Sequence, residues 1–200
     1  DQAADALFDP ATDGASLPVL VRDLLVLAPG DEVPADQRPG WRRAARERIA
    51  ARLFDPARPP QRLGLVAEAV RGSLASPVVQ QVFTGAYVIP ILRLRASAPG
   101  PVIAEIDRLL PMFRSSELVP ELDALLAAPT ESVGLDLQRQ AVQVATTIQV
   151  VPLGEQLVQI ADPLIDLLVR LDPEARPEFA RLIGARLQLM TEHRAIDPPT

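Results

Sequence analysis

The chain has 200 residues, 48% of them hydrophobic, a formal charge of −6 and a pI near 4.9. That is enough apolar material for a buried core, and it excludes a disordered chain. There is no Cys, Lys or Asn and a single His193, which excludes thiol nucleophiles, Schiff-base lysines, disulfides, cysteine metal sites and N-glycosylation.

All 20 basic residues are Arg, a bias of GC-rich bacterial coding. Mean hydropathy is slightly positive at +0.14. Arg22 and Asp23, Pro90 and Pro152 nevertheless interrupt the apolar stretches before the roughly 18 residues that a membrane span needs. The chain is read as soluble, with no transmembrane segment. It starts at Asp1 rather than Met, which suggests a processed exported protein, periplasmic or at the cell surface; a cytoplasmic location is the alternative.

The first sixteen residues read as an extended segment. Asp5, Asp9 and Asp13 precede Gly14, but their spacing lacks the alternation of an EF-hand loop, so a capped turn is expected and no metal site. LFDPA stands at 7–11 and again at 53–57, 46 positions later. An Asp before a Pro suits a helix start: the carboxylate caps free N–H groups, and the ring presets φ. Asp9, Asp55, Asp162 and Asp172 all precede a proline. The repeat is read as one local device used twice, with an ancestral duplication as the other reading.

Helices are expected over 17–27, 41–54, 61–74, 77–95, 101–113, 117–127, 131–151, 153–161, 163–171 and 177–192, separated by most of the 21 prolines. Residues 28–40, rich in Pro and Gly, read as a connection. Trp41, Ala45, Ile49 and Leu53 recur every four residues, and Val102, Ile106, Leu109, Leu110 and Phe113 make a second helical stripe. Two segments rich in β-branched residues, 82–95 and 142–151, keep helical spacing through Val78, Val82, Ala86 and Ile89 and through Leu137, Ala141, Val144, Ile148 and Val151. Short strands there, giving an α+β fold, are the alternative. The fold expected is a single all-α domain over 1–200: a compact array of antiparallel helical hairpins, an irregular bundle or short HEAT-like superhelix of about 8–10 helices.

Chemistry is sparse. Between 38 and 62, eight arginines face only Glu47 and Asp55, a local charge of +6 against −12 for the remainder. Such asymmetry suits an acidic partner, phosphates or, more weakly, an anionic membrane surface. Few aromatic residues accompany it, so nucleic acid is not expected. His193 and the serines lack a G-x-S-x-G elbow, and no glycine loop resembles a phosphate cradle, so no cofactor is expected. Glu117 with Glu121, Asp162 with Asp166 and Glu174 with Glu178 stand four apart and read as solvated first turns.

The reading that results is a non-enzymatic binding, scaffolding or assembly subunit. It would act on a protein partner, or on itself, through Trp41, Arg42, Arg43 and Arg46. The alternatives are a cell-envelope structural subunit, periplasmic or lipoprotein-like, and a carboxylate-dependent enzyme with an inter-helix cleft.

Overall fold

The structure, a computed structural model, describes residues 2–27 and 33–147 together with positions 169, 176, 177, 180, 181, 184 and 188. Among the described residues every regular element is helical, with ten α-helices, three short 3-10 turns and no strand. The chain is therefore an all-α array. Contacts divide it into two compact units, residues 1–114 and 115–200.

The first unit holds α1 (Gln2–Ala6), α2 (Leu17–Leu25), α3 (Arg38–Leu53), α4 (Pro60–Ser73), α5 (Pro77–Val82), α6 (Val88–Ser97) and α7 (Gly100–Leu109). Its 3-10 turns lie at Gly14–Ser16, Gly85–Tyr87 and Leu110–Met112. The first sixteen residues, expected to be extended, thus carry one short helix and one 3-10 turn. Of the expected 28–40 connection, 38–40 already belong to α3, and 28–32 lie outside the described residues. Helix α4 packs on both α2 and α7, burying Leu63, Val66, Ala67 and Val70. Removing such side chains from water contributes roughly 1.5–3 kcal/mol for each large one.

Proline starts these helices more directly than Asp does. It occupies the first or second position of α2, α3, α4, α5 and α7. Pro59, Pro99 and Pro129 are themselves N-caps with non-helical ψ angles of 126°, 157° and 135°, their carbonyls accepting the first N–H bonds, as Pro59 does from Arg62 and Leu63 at 3.0 Å. The expected Asp caps are not what Asp9 and Asp55 provide. In both LFDPA copies the Asp carboxylate accepts the N–H two residues on, Ala11 at 2.8 Å and Ala57 at 2.9 Å. The Asp carbonyl accepts the N–H three residues on, Thr12 at 3.0 Å and Arg58 at 3.1 Å. This is an Asx-supported β-turn that follows a helix instead of opening one. The paired Leu7 and Phe8, and Leu53 and Phe54, are buried just ahead of each turn. The Asp162 and Asp172 pairs lie outside the described residues.

The two segments for which short strands were the alternative hold no strand among the described residues. Val88–Ser97 is helical, as is α10 up to Thr147, while 148–151 lie outside the described residues. The long helix expected over 77–95 is interrupted at Phe83 and Thr84, whose backbones are extended. Two causes converge. In a continuous helix Pro90 would remove a backbone bond and clash with the turn before it, whereas here it lies in the first turn of α6. The break also lets the Phe83 ring stack on Tyr87 and meet Phe113, each at 4.5 Å between centroids. The Val102 to Phe113 stripe is buried throughout, with Pro111 tightening its last turn to 3-10.

The second unit is described through α8 (Ser115–Ala127), α9 (Thr130–Val133) and α10 (Leu135–Thr147). The helix expected over 131–151 divides at Gly134, whose φ of 86° is a left-handed conformation that a side chain would strain. Gln138, fully buried, donates to the Leu125 and Ala128 carbonyls at 3.0 and 2.9 Å and accepts from the Thr130 hydroxyl at 2.9 Å. It thereby satisfies carbonyls that the end of α8 leaves free. Helical conformation is also described at Val169 and at 176, 177, 180, 181, 184 and 188.

A cationic clasp closes the start of the first unit. Arg62 donates to the carbonyls of Leu7, Asp9 and Thr12 at 3.0, 2.8 and 2.5 Å. Arg58 pairs with Asp5 and lies 4.8 Å over the Phe8 ring. Substituting Arg62→Ala strips three carbonyls of a charged donor and is expected to cost about 1–3 kcal/mol. Hydrogen exchange should accelerate across residues 4–12 while the middle of α4 stays protected; unaltered exchange over 4–12 would contradict the clasp.

Candidate functional site

Helix α3 is basic over most of its surface, and only its second half is sunk in the fold. Ile49, Ala50 and Leu53 are buried, Trp41, Ala45 and Arg46 are half-buried, and Arg42, Arg43 and Arg48 are exposed. The expected stripe is thus graded: it runs from a half-open tryptophan at one end to a fully covered leucine at the other. A single large aromatic at the open end is the feature that hot-spot chemistry asks for.

A cleft of about 160 Å³ opens beside it, lined by Trp41, Ala45 and Ile49 of α3, by Ala4 of α1 and by Leu24 and Leu27 at the end of α2. Leu24 and Ile49 are buried, whereas Leu27 is 52% exposed. Arg48 and Arg52 bring charge to the same lining.

The arginines divide by what engages them. Arg38 donates to the Val33 carbonyl at 3.0 Å, and Arg58 and Arg62 form the clasp. Arg43, with a side chain 83% exposed, pairs with Glu47 at 3.0 Å, an exposed contact of small worth. The charge of Arg52 reaches Asp5, whose carboxyl is held below its ordinary range, chiefly by its hydrogen bond to Arg58. Arg42 and Arg48 make no ion pair or side-chain hydrogen bond among the described residues. Arg46 makes none either, and its charge falls on Tyr87. The structure therefore places Trp41, Arg42, Arg43 and Arg46 on one helix but commits Arg43 to Glu47. It adds Arg48 and Leu27, which the sequence reading left out. Arg48 stands seven residues after Trp41, so helical spacing contained the signal; Leu27 comes from another element, and no local pattern points to it.

The other candidate groups are dispersed. Asp5 and Asp9 serve the clasp and the turn. No cluster of three or more His, Cys, Asp or Glu comes together among the described residues. Glu117 and Glu121 lie half-buried on α8, and His193, Asp162, Asp166, Glu174 and Glu178 lie outside the described residues. A second, shallower cleft of about 360 Å³ runs between the start of α2 and α4. Glu68 is the one acid lining it, beside Arg71, which pairs with Glu105 at 3.6 Å. No described helix is long and apolar enough to cross a membrane. Comparison with protein-family models, curated proteins and solved structures finds no match to this chain.

Behind α3 stands Tyr87, fully buried with a hydroxyl that has no hydrogen-bond partner among the described residues. Burial pushes its ionisation upward, and the nearby Arg46 charge only partly offsets this. A folded-state value raised above the unfolded one gives a stabilisation that is complete below about pH 10 and is lost as pH climbs beyond it. Since Tyr87 is the only tyrosine, phenolate absorbance is expected to rise together with loss of helical circular dichroism, in one alkaline transition. Phenolate formed ahead of unfolding would contradict this burial.

Proposed function

We propose that the chain is a non-enzymatic binding or assembly subunit that holds a protein partner on the first half of α3. The observation that carries this reading is Trp41, half-open beside an apolar cleft and flanked by Arg42, Arg46 and Arg48, none of them ion-paired among the described residues. Trp and Arg supply most of the energy at protein interfaces, and anchors of this kind sit next to small apolar recesses. Arg43 contributes at the rim, where its pair with Glu47 is weak enough to exchange for a partner's acid.

Size also favours a protein contact over a substrate pocket at this place. Sites for drug-sized molecules have roughly 300–1,000 Å³, and the cleft beside Trp41 has about 160 Å³. It accommodates one side chain.

Charge reversal of Arg42 and Arg46 to Glu tests the proposal, using the intact protein recovered from its native host with whatever remains attached. Association is expected to weaken at least about tenfold, the equivalent of one to two kcal/mol, with helical content unchanged by circular dichroism. Association that survives the double reversal removes this face from consideration.

A further inference from the structure

We propose, resting on the partner-binding reading above, that the occupant of this face is an acidic amphipathic helix that inserts one large apolar side chain beside Trp41. Three observations converge on that ligand. The first is volume: a cavity of about 150 Å³ lined by apolar side chains accepts a benzene-sized group, and the cleft's 160 Å³ suits one Leu or Phe.

The second is the track leading to it. Leu20, Leu24 and Leu27 stand at i, i+4 and i+7; Leu20 is 37% and Leu27 52% exposed, with Leu24 in the cleft lining between them. A helix laid along an apolar groove presents anchors at this spacing. An extended peptide has no counterpart to pair with, because the described residues contain no strand whose edge could take its backbone groups. A helix satisfies its own.

The third is charge. Arg48 lines the cleft and Arg42 flanks Trp41, neither of them ion-paired among the described residues, inside a segment of net +6. Acids on the flanks of the incoming helix complement them and steer its approach.

Trp41 is the only tryptophan, so its emission reports the cleft directly. Three Trp-free helical peptides serve as probes: one with Leu at i, i+4 and i+7 and Glu on its flanks, one with Lys for Glu, and one with Ala for Leu. The acidic Leu peptide is expected to shift Trp41 emission to the blue, with affinity falling as salt rises. The other two are expected to bind at least about tenfold more weakly. Arg48→Glu should lower affinity for the acidic peptide at least about tenfold, and Arg93→Glu, on the exposed face of α6, should leave it unchanged. If Arg48→Glu disturbs folding, Ala45→Leu fills the cleft without altering charge and should abolish the shift.

Absence of a shift with the acidic peptide, or an equal shift with its Lys counterpart, overturns the proposal. So does a wild-type chain that sediments as a dimer and becomes monomeric on Arg48→Glu, since the occupant is then a second copy. Failure of the peptides while association with the native partner still depends on Arg42 and Arg46 removes only the acidic helix; failure of both removes the face.

Discussion

A proline ring presets φ and removes a donor, and in this chain that constraint decides where the helices start. Five helices of the first unit carry Pro in their first two positions, and three further prolines cap helices through their carbonyls. In α2 to α7 and in α9 no N-cap side chain bonds the first turn. Helix starts are thus fixed by conformational restriction rather than by capping hydrogen bonds, and their stability falls to the packing of apolar faces. Pro120 departs from the rule, inside α8, where it is exposed and water can reach the carbonyl that its missing N–H leaves unbonded.

The same constraint shapes the candidate face. Each LFDPA segment drives a Leu–Phe pair into the core and then turns sharply, so α3 is pinned at its C-terminal end by Leu53 and Phe54. Arg58 and Arg62, just beyond that turn, reach back over 50 residues to hold the first copy in place. Helix α1 is thereby fixed beside α3, and Ala4 joins the cleft lining. The first turns of α3 extend past this pinned region, leaving Trp41 half-open and its neighbouring arginines in solvent.

Much of the fold was legible in sequence, because apolar spacing survives translation into burial. Val102 to Phe113 and Leu137, Ala141 and Val144 are buried as expected. Where the spacing was ambiguous, it misled. Val78, Val82, Ala86 and Ile89 were read as one helical stripe, yet Val78 is 59% exposed and the buried hydrophobic residues include Val79, Phe83, Tyr87, Val88, Ile91, Leu92 and Leu94. The pattern changes phase at the Phe83 break, which the tilted ring contact with Phe113 helps to set, and no local window contains that partner. Asp–Pro was misread for a different reason: a carboxylate before a proline serves a helix cap and an Asx turn equally well, and only the neighbouring Leu–Phe pair distinguishes them. The basic stretch was read as one asymmetric block of charge, but Arg58 and Arg62 are engaged by distant carbonyls and an acid. The candidate face keeps Trp41, half-buried, and Arg42, exposed, from the sequence reading, while the cleft's other wall at Leu24 and Leu27 needed the fold.

A partly open tryptophan, Trp41, stands among arginines on the surface of the first unit. Collisional quenching of the single tryptophan by iodide and by caesium ions, at matched ionic strength, tests it most directly. Iodide should quench Trp41 several-fold more efficiently than caesium, because the surrounding arginines concentrate the anion and repel the cation. Equal quenching by the two ions, or shielding from both, would contradict it.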